Sequence, residues 1–120
     1  MTVRNRILLV EDEPVIQDVL KRLFKPAGLS LEVIDRGDVA VGHLEGDRDY
    51  DLLITDLMLP GANGMEVLSK ARQVMPDVPV IVITAFASVD TAVEAMRLGA
   101  FDYLPKPFDV DSVATLVQRA

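Results

Sequence analysis

The chain has 120 residues, 50% of them hydrophobic and 26% charged, a balance that suits one folded domain and excludes disordered and fibrous chains. A net charge of −7 disfavours direct contact with nucleic acid phosphates, and the absence of cysteine excludes disulfides and thiol catalysis. No apolar run approaches the ~20 residues of a membrane helix, and Met1 to Asn5 leads into a strand rather than a signal peptide, so a cytoplasmic location without membrane contact is expected.

Ile7 to Val10 is an unbroken aliphatic run, too short for a helix and suited to a strand buried on both faces. Glu11-Asp12-Glu13-Pro14 follows as an acidic cap with a proline in the first helical turn. Val15, Ile16, Val19, Leu20, Leu23 and Phe24 then recur at helical spacing until Pro26 and Gly28. Leu29 to Ile34 reads as a second strand and Asp38 to Leu44 as a weaker helix, with Gly42 against it. Asp51 to Thr55 is the third strand; a loop with Pro60, Gly61 and Gly64 leads to a helix from about Met65 to Val74, with Val67, Leu68, Ala71, Val74 and Met75 on one face. Val80 to Ile83 is the fourth strand. Ser88 caps a helix with Val89, Ala92, Val93 and Met96 inward, ended by Gly99. Phe101 to Leu104 is the fifth strand, and Asp109 caps a last helix with Val110, Val113, Ala114 and Val117 inward.

Five strand–helix units predict an α/β fold of the flavodoxin-like (βα)5 kind, a three-layer sandwich whose parallel five-stranded sheet has the order 2-1-3-4-5. There is no repeat, linker or low-complexity tract, so 1–120 is one domain. In that order the first and third strands are neighbours at the switch point, where ligands bind beyond the carboxyl ends. Glu11, Asp12 and Asp56 stand there. Three carboxylates within ~5 Å repel by roughly 3 kcal/mol per pair at an effective dielectric near 20, a cost that a divalent cation such as magnesium relieves. Glu11 and Asp12 alone read equally as helix-capping acids, but Asp56 has no capping role. Thr84 and Lys106 follow the fourth and fifth strands, so a hydroxyl and an ammonium join the same edge and suit phosphoryl transfer to a carboxylate. Singly, Thr84 reads as a β-branched residue finishing a strand and Lys106 as a solvated loop lysine.

The runs Leu8-Leu9-Val10-Glu11-Asp12-Glu13, Leu53-Ile54-Thr55-Asp56-Leu57-Met58-Leu59-Pro60 with Gly64, Ile83-Thr84-Ala85 and Tyr103-Leu104-Pro105-Lys106-Pro107-Phe108 together resemble the receiver domain of bacterial two-component response regulators, along essentially the whole chain. The resemblance implies that Asp56 accepts a phosphoryl group from a partner sensor histidine kinase. It makes Asp12 a direct Mg2+ ligand, Glu11 a ligand through water, and Asp56 and the backbone carbonyl of Met58 further contacts. Lys106 would contact the phosphoryl oxygens, Thr84 would turn to hydrogen-bond them, and Tyr103 would enter the vacated space as the switch. Many members carry two aspartates where this chain has Glu11-Asp12. The bond between Lys106 and Pro107 is expected to be cis, as the family often holds it.

The responsive surface would be the last two helices and strand five, with Asp90, Glu94, Arg97, Asp102, Asp111 and Arg119 as candidates for a homodimer contact or as plain solvated charges. His43, the only histidine, is expected to be solvated, as are Asp47, Asp49 and Asp51 beside Arg48. The methionines read mostly as core packing, with Met58 beside the acceptor able to hinder water. The stretch Thr84 to Tyr103 is similar to receivers of the nitrogen-regulation class, which precede an ATPase and a DNA-binding output domain. The last helix reaches Ala120 without a stop signal, so this chain is expected to be the N-terminal part of a longer regulator, with a stand-alone receiver that acts by docking as the alternative. Against the rivals, Glu11-Asp12-Glu13 does not supply the paired aspartates of a phosphoaspartate-forming phosphohydrolase, and Glu11 to Pro14 would repel the phosphate of a flavin. A phosphate-independent docking domain is the remaining alternative.

Overall fold

Strand and helix alternate in the computed structural model, which describes residues 6–26, 28–46, 49–106 and 110–119. The elements are β1 (Arg6–Val10), α1 (Pro14–Phe24), β2 (Ser30–Ile34), α2 (Gly37–Gly46), β3 (Leu52–Asp56), α3 (Gly64–Val74), β4 (Val80–Thr84), α4 (Val89–Arg97), β5 (Asp102–Pro105) and α5 (Val110–Arg119). The bond expected to be cis at Pro107, the cap at Asp109, the turn residues Asp47 and Arg48, and the side chains of Val110, Val117 and Arg119 lie outside the described residues. All pairings are parallel and the strand order is β2-β1-β3-β4-β5, as the alternation predicts.

The two-residue period of a strand divides the core into halves. Leu8, Val10, Leu53, Val80 and Val82 face a layer built by Ala40 and Leu44 of α2, Val67, Leu68 and Ala71 of α3 and Ala95 of α4. Their alternates, Ile7, Leu9, Leu52, Ile54, Ile81 and Ile83, face Leu20 and Phe24 of α1 and Val113 of α5. β1, β3 and β4 are therefore apolar on both sides, and the three central strands carry the unbroken aliphatic runs.

Two expectations are corrected here. α4 does not turn Val89, Val93 and Met96 inward: Val89 is 79% exposed and the other two about half exposed, and the buried residue of the helix is Ala95. The helix is amphipathic, but its larger apolar residues lie on the outer side and its small ones on the sheet. Its ends match the sequence, with a Ser88–Thr91 capping box and Gly99 at φ 100 beyond the C-cap Leu98. His43 is not solvated either. It is half-buried, with its Nε2 2.7 Å from the Tyr50 hydroxyl, which donates to Glu32 Oε2 at 2.5 Å. Arg6 donates to Glu32 at 2.7 Å and lies over the Tyr50 ring, so β1, β2 and α2 are tied together at the sheet's amino end. The methionines divide: Met75 is buried and Met65 packs on the core, whereas Met58 and Met96 are about half exposed.

Two close approaches hold the loop after β3. Gly37 donates its amide to Pro60 O at 2.9 Å, and a Cβ there would stand 1.8 Å from Ala62 O. Gly64 donates to Leu57 O at 2.8 Å, and its Cβ would stand 2.0 Å from Asp56 O. Gly42, mid-helix in α2, faces open space, with nothing within 4 Å of the place a methyl group would take. Gly64→Ala is therefore expected to cost about 1–3 kcal/mol through forced backbone shifts, whereas Gly42→Ala is expected to stabilise by about 0.4–1 kcal/mol. Urea denaturation of the two variants checks both signs.

Candidate functional site

Strand ends bring the acids together. Val10 pairs with Thr55 and Asp56 with Ile83, so Glu11, one residue past β1, stands beside the last residue of β3. The Glu11 amide donates to Ile34 O at 3.0 Å, which holds the start of the loop against β2. On the other side Thr84 pairs with Pro105, and the Lys106 amide donates to Thr84 O at 2.7 Å, turning the chain so that its side chain reaches back over β3. Carboxylate oxygens of Glu11, Asp12 and Asp56 lie within 4.8 Å of one another, the separation expected from their strand positions. Glu11 is fully buried, Asp56 is 3% exposed and Asp12 is exposed.

The Lys106 side chain, 6% exposed, is the cation that balances this group. Its Nζ donates to Asp56 Oδ2 at 2.8 Å and to Glu13 Oε1 at 2.9 Å. Glu11 Oε1 lies 2.7 Å from the same nitrogen, an ion pair closer than either of those contacts. Burial alone would lower the lysine pKa; its bonds to Asp56, Glu11 and Glu13 outweigh that and hold it above the ordinary value. Burial pushes the Glu11 carboxyl up to about 7, against the opposing pull of Lys106 and the Glu13 amide. The donor set fits a hard divalent cation: three carboxylates with mutually close oxygens, two of them buried beside a single ammonium.

Asp56 Oδ1 accepts from the Met58 amide at 3.2 Å, and the Met58 side chain is 55% exposed beside it. Thr84 is fully buried, and its hydroxyl oxygen accepts from the Phe86 amide at 3.0 Å rather than reaching the acids. Tyr103 is half-buried against the α2–α4 side of the core, with its hydroxyl 2.6 Å from Thr91 Oγ1. The acidic cap differs from expectation, because the N-cap of α1 is Glu13 and its side chain makes no cap hydrogen bond, while the Glu13 amide donates to Glu11 Oε2 at 3.1 Å. Glu13, Gln17 and Thr91 escaped the sequence reading as site neighbours; Gln17 Nε2 donates to the Glu11 carbonyl at 2.7 Å. The one available signal was the third acid of Glu11-Asp12-Glu13, which reads as a cap.

The raised carboxyl of Glu11 has a pH signature. With a folded pKa near 7 against an ordinary 4.5, its contribution to stability is full below 4.5, declines across that window and is gone above 7. In buffer free of divalent cations, wild type is expected to lose stability relative to Glu11→Gln as pH rises from 5 to 7 within that window. Urea midpoints of the two proteins against pH check it, and parallel curves would contradict it.

The family model described as "Response regulator receiver domain" matches residues 7–118. The regulatory protein AtoC of Escherichia coli K12 is 42% identical over 120 residues, which are all of this chain and 26% of AtoC. The DNA-binding transcriptional regulator NtrC of Salmonella typhimurium LT2 is 39% identical over 117 residues, 98% of this chain and 25% of NtrC. The chain thus spans about a quarter of the length of these curated relatives. Among solved structures, the receiver domain of the sensor histidine kinase PA1611 from Pseudomonas aeruginosa PAO1, with a magnesium ion coordinated in its active site cleft, superimposes with a TM-score of 0.84 at 32% identity, covering 98% of this chain and 97% of that one. With its five-stranded parallel sheet, its acidic cluster at the carboxyl edge and these relatives, the chain belongs to the receiver domain family of two-component response regulators, and its relatives include regulators of the nitrogen-regulation class.

Proposed function

We propose that Asp56 is the phosphoacceptor of this signalling domain and that a histidine kinase supplies the phosphoryl group. The observation that carries the reading is the contact of Lys106 Nζ, 2.8 Å from an oxygen of the buried Asp56 at the end of β3. A carboxylate oxygen of Asp56 attacks phosphorus, a P–O bond forms as the P–N bond to the donor imidazole breaks, and the imidazole leaves with a proton. Lys106 neutralises the phosphoryl oxygens in that step and in the product. Glu11, Asp12 and Asp56, with the Met58 carbonyl, would hold Mg2+, which when bound supplies further charge neutralisation. The domain assists its own phosphorylation and dephosphorylation and needs no separate active site.

Thr84 and Tyr103 form the switch in this reading. Thr84 gives up the Phe86 amide to reach the phosphoryl group, and Tyr103 exchanges its Thr91 contact for the space released. The phosphoryl group acts by its differential affinity for two arrangements of the chain. The responsive surface is α4, β5 and α5, where Val89, Val93 and Met96 are exposed, with Phe86 in the loop before α4, and Asp90, Glu94, Arg97 and Asp111 lie on the same elements. That surface suits a homodimer contact or an output domain, in a longer cytoplasmic regulator of transcription with ATPase and DNA-binding parts. No helix among the described residues is long and apolar enough to cross a membrane.

Incubation with acetyl phosphate is expected to add a single phosphoryl mass in the presence of Mg2+ and none in its absence, and the adduct is expected to vanish in Asp56→Asn. Intact mass spectrometry reads both; an adduct that survives in Asp56→Asn would move the acceptor elsewhere. The exposed Met58 side chain shields the acyl phosphate from water, so Met58→Asn is expected to shorten the phosphorylated lifetime. The decay of the adduct after removal of acetyl phosphate measures this, and an unchanged decay would remove Met58 from the account.

A further inference from the structure

The loop after β1 carries Glu11 and Asp12, the loop after β3 carries Met58, and both rest on one neighbour, the end of β2 and the turn into α2. On one side Ile34 O accepts the Glu11 amide at 3.0 Å; on the other the Gly37 amide donates to Pro60 O at 2.9 Å. Pro60 O also accepts the Ala62 amide at 3.2 Å, so both lone pairs of that carbonyl are in use. Gly37 is buried, and a Cβ there would stand 1.8 Å from Ala62 O and 2.6 Å from Ala62 C, backbone atoms that no side-chain rotation can move. Asp38 makes a second contact with the same loop. Its carboxylate, gripped by Arg36 Nε at 3.0 Å and by a terminal guanidinium nitrogen at 3.1 Å, lies on Gly61, where a Cβ would stand 2.2 Å from Asp38 Oδ1. Neither Gly37 nor Asp38 belongs to the acidic group at the carboxyl edge.

We propose that Gly37 is a positioning residue for the Mg2+ site: from the head of α2 it fixes the loop after β3 at Pro60, and with Ile34 it holds that loop and the loop after β1 at a set separation. The Met58 amide is tied to Asp56 Oδ1 at 3.2 Å, so with Pro60 held as well the peptide units between them have little freedom, and the Met58 carbonyl keeps its direction. Mg2+ demands near-ideal octahedral geometry with bonds of about 2.0–2.1 Å, whereas Ca2+ accepts irregular shells at about 2.3–2.6 Å. A preset ligand loop therefore favours Mg2+ over Ca2+, and a loosened one favours it less. This role rests on the metal part of the function proposed above and adds a residue outside its ligand set.

The test titrates Mg2+ and Ca2+ separately against the backbone amide NMR shifts of wild type, Gly37→Ala, Asp38→Ala and Gly42→Ala. In Gly37→Ala the loop must retreat from the new methyl group, and Mg2+ is expected to bind about tenfold more weakly, the low end of what lost supporting contacts cost a metal site. Ca2+ is expected to weaken by no more than about twofold to threefold, so the ratio of Mg2+ to Ca2+ affinity falls. Asp38→Ala introduces no clash. It removes a charge, which weakens both cations alike, so the ratio reads the lost contact alone and is expected to fall about twofold. Gly42→Ala, on the same helix but facing open space, is expected to leave the ratio unchanged.

Mg2+ binding to Gly37→Ala as tight as to wild type, an equal loss of both cations, a fallen ratio in Gly42→Ala, or no Mg2+ binding by wild type would each overturn the proposal. If Gly37→Ala does not fold, Asp38→Ala decides, and an unchanged ratio there overturns it. If the ratio falls as expected and acetyl phosphate still adds nothing to Asp56, the proposed function falls and the role of Gly37 stands.

Discussion

The ammonium of Lys106 is the constraint on which the carboxyl edge of this sheet depends. Glu11 and Asp56 are withdrawn from water, and Asp12 and Glu13 stand beside them, so four acids face one cation. Two like charges 4.8 Å apart cost roughly 3 kcal/mol at an effective dielectric near 20, and the buried oxygens have lost their hydration as well. Lys106 offsets part of that, and the carboxyl of Glu11, pushed up chiefly by its burial and further by the charge of Asp56, shows the remainder. An edge left with surplus negative charge and buried carboxylates is poised for a cation, which relieves the repulsion and the lost hydration together.

The fold delivers that arrangement by burial rather than by local preference. β1, β3 and β4 are apolar on both faces, and a layer of helices on each side fixes their height in the sheet. Once Val10 is opposite Thr55 and Asp56 opposite Ile83, the first polar residues beyond the core have no choice of location. The glycines at 37 and 64 then bring the loop after β3 to within a methyl group's width of its neighbours, so the chain just past Asp56 is clamped from two directions.

Much of this was legible in the residues because the signals are periodic or terminal. The aliphatic runs Ile7 to Val10 and Val80 to Ile83 announce buried parallel strands, the alternation with helical spacing gives the sheet order, and the strand-end positions of Glu11, Asp56, Thr84 and Lys106 place them on one edge. Where a helix carries apolar residues on two sides, periodicity does not say which side is inside. α4 turned its small side inward, with Ala95 buried, and Val89, Val93 and Met96 went out. His43 and Tyr50 meet through tertiary packing between α2 and the start of β3, a contact with no signature in local sequence. Glu13 read as a cap because a cap is the commonest use of an acid before a helix, and only the return of Lys106 from 93 residues away reassigns it.

The small inward side of α4 has a mechanical consequence. A buried methyl contributes about 0.8 kcal/mol, whereas each Val or Leu contributes about 1.5–3 kcal/mol, and α3 buries Val67 and Leu68 along with Ala71 where α4 buries Ala95 alone. α4 is thus the compliant helix on its face of the sheet, joined to β5 by the Thr91–Tyr103 hydroxyl pair. Inverting a two-state population from 1:99 to 99:1 takes about 5.5 kcal/mol, and a lightly moored helix keeps the elastic load on such a change small. The domain is stiff where it holds charge and soft where it shows an apolar surface, a gradient of rigidity that lets a local event at one edge be read as a shape on another.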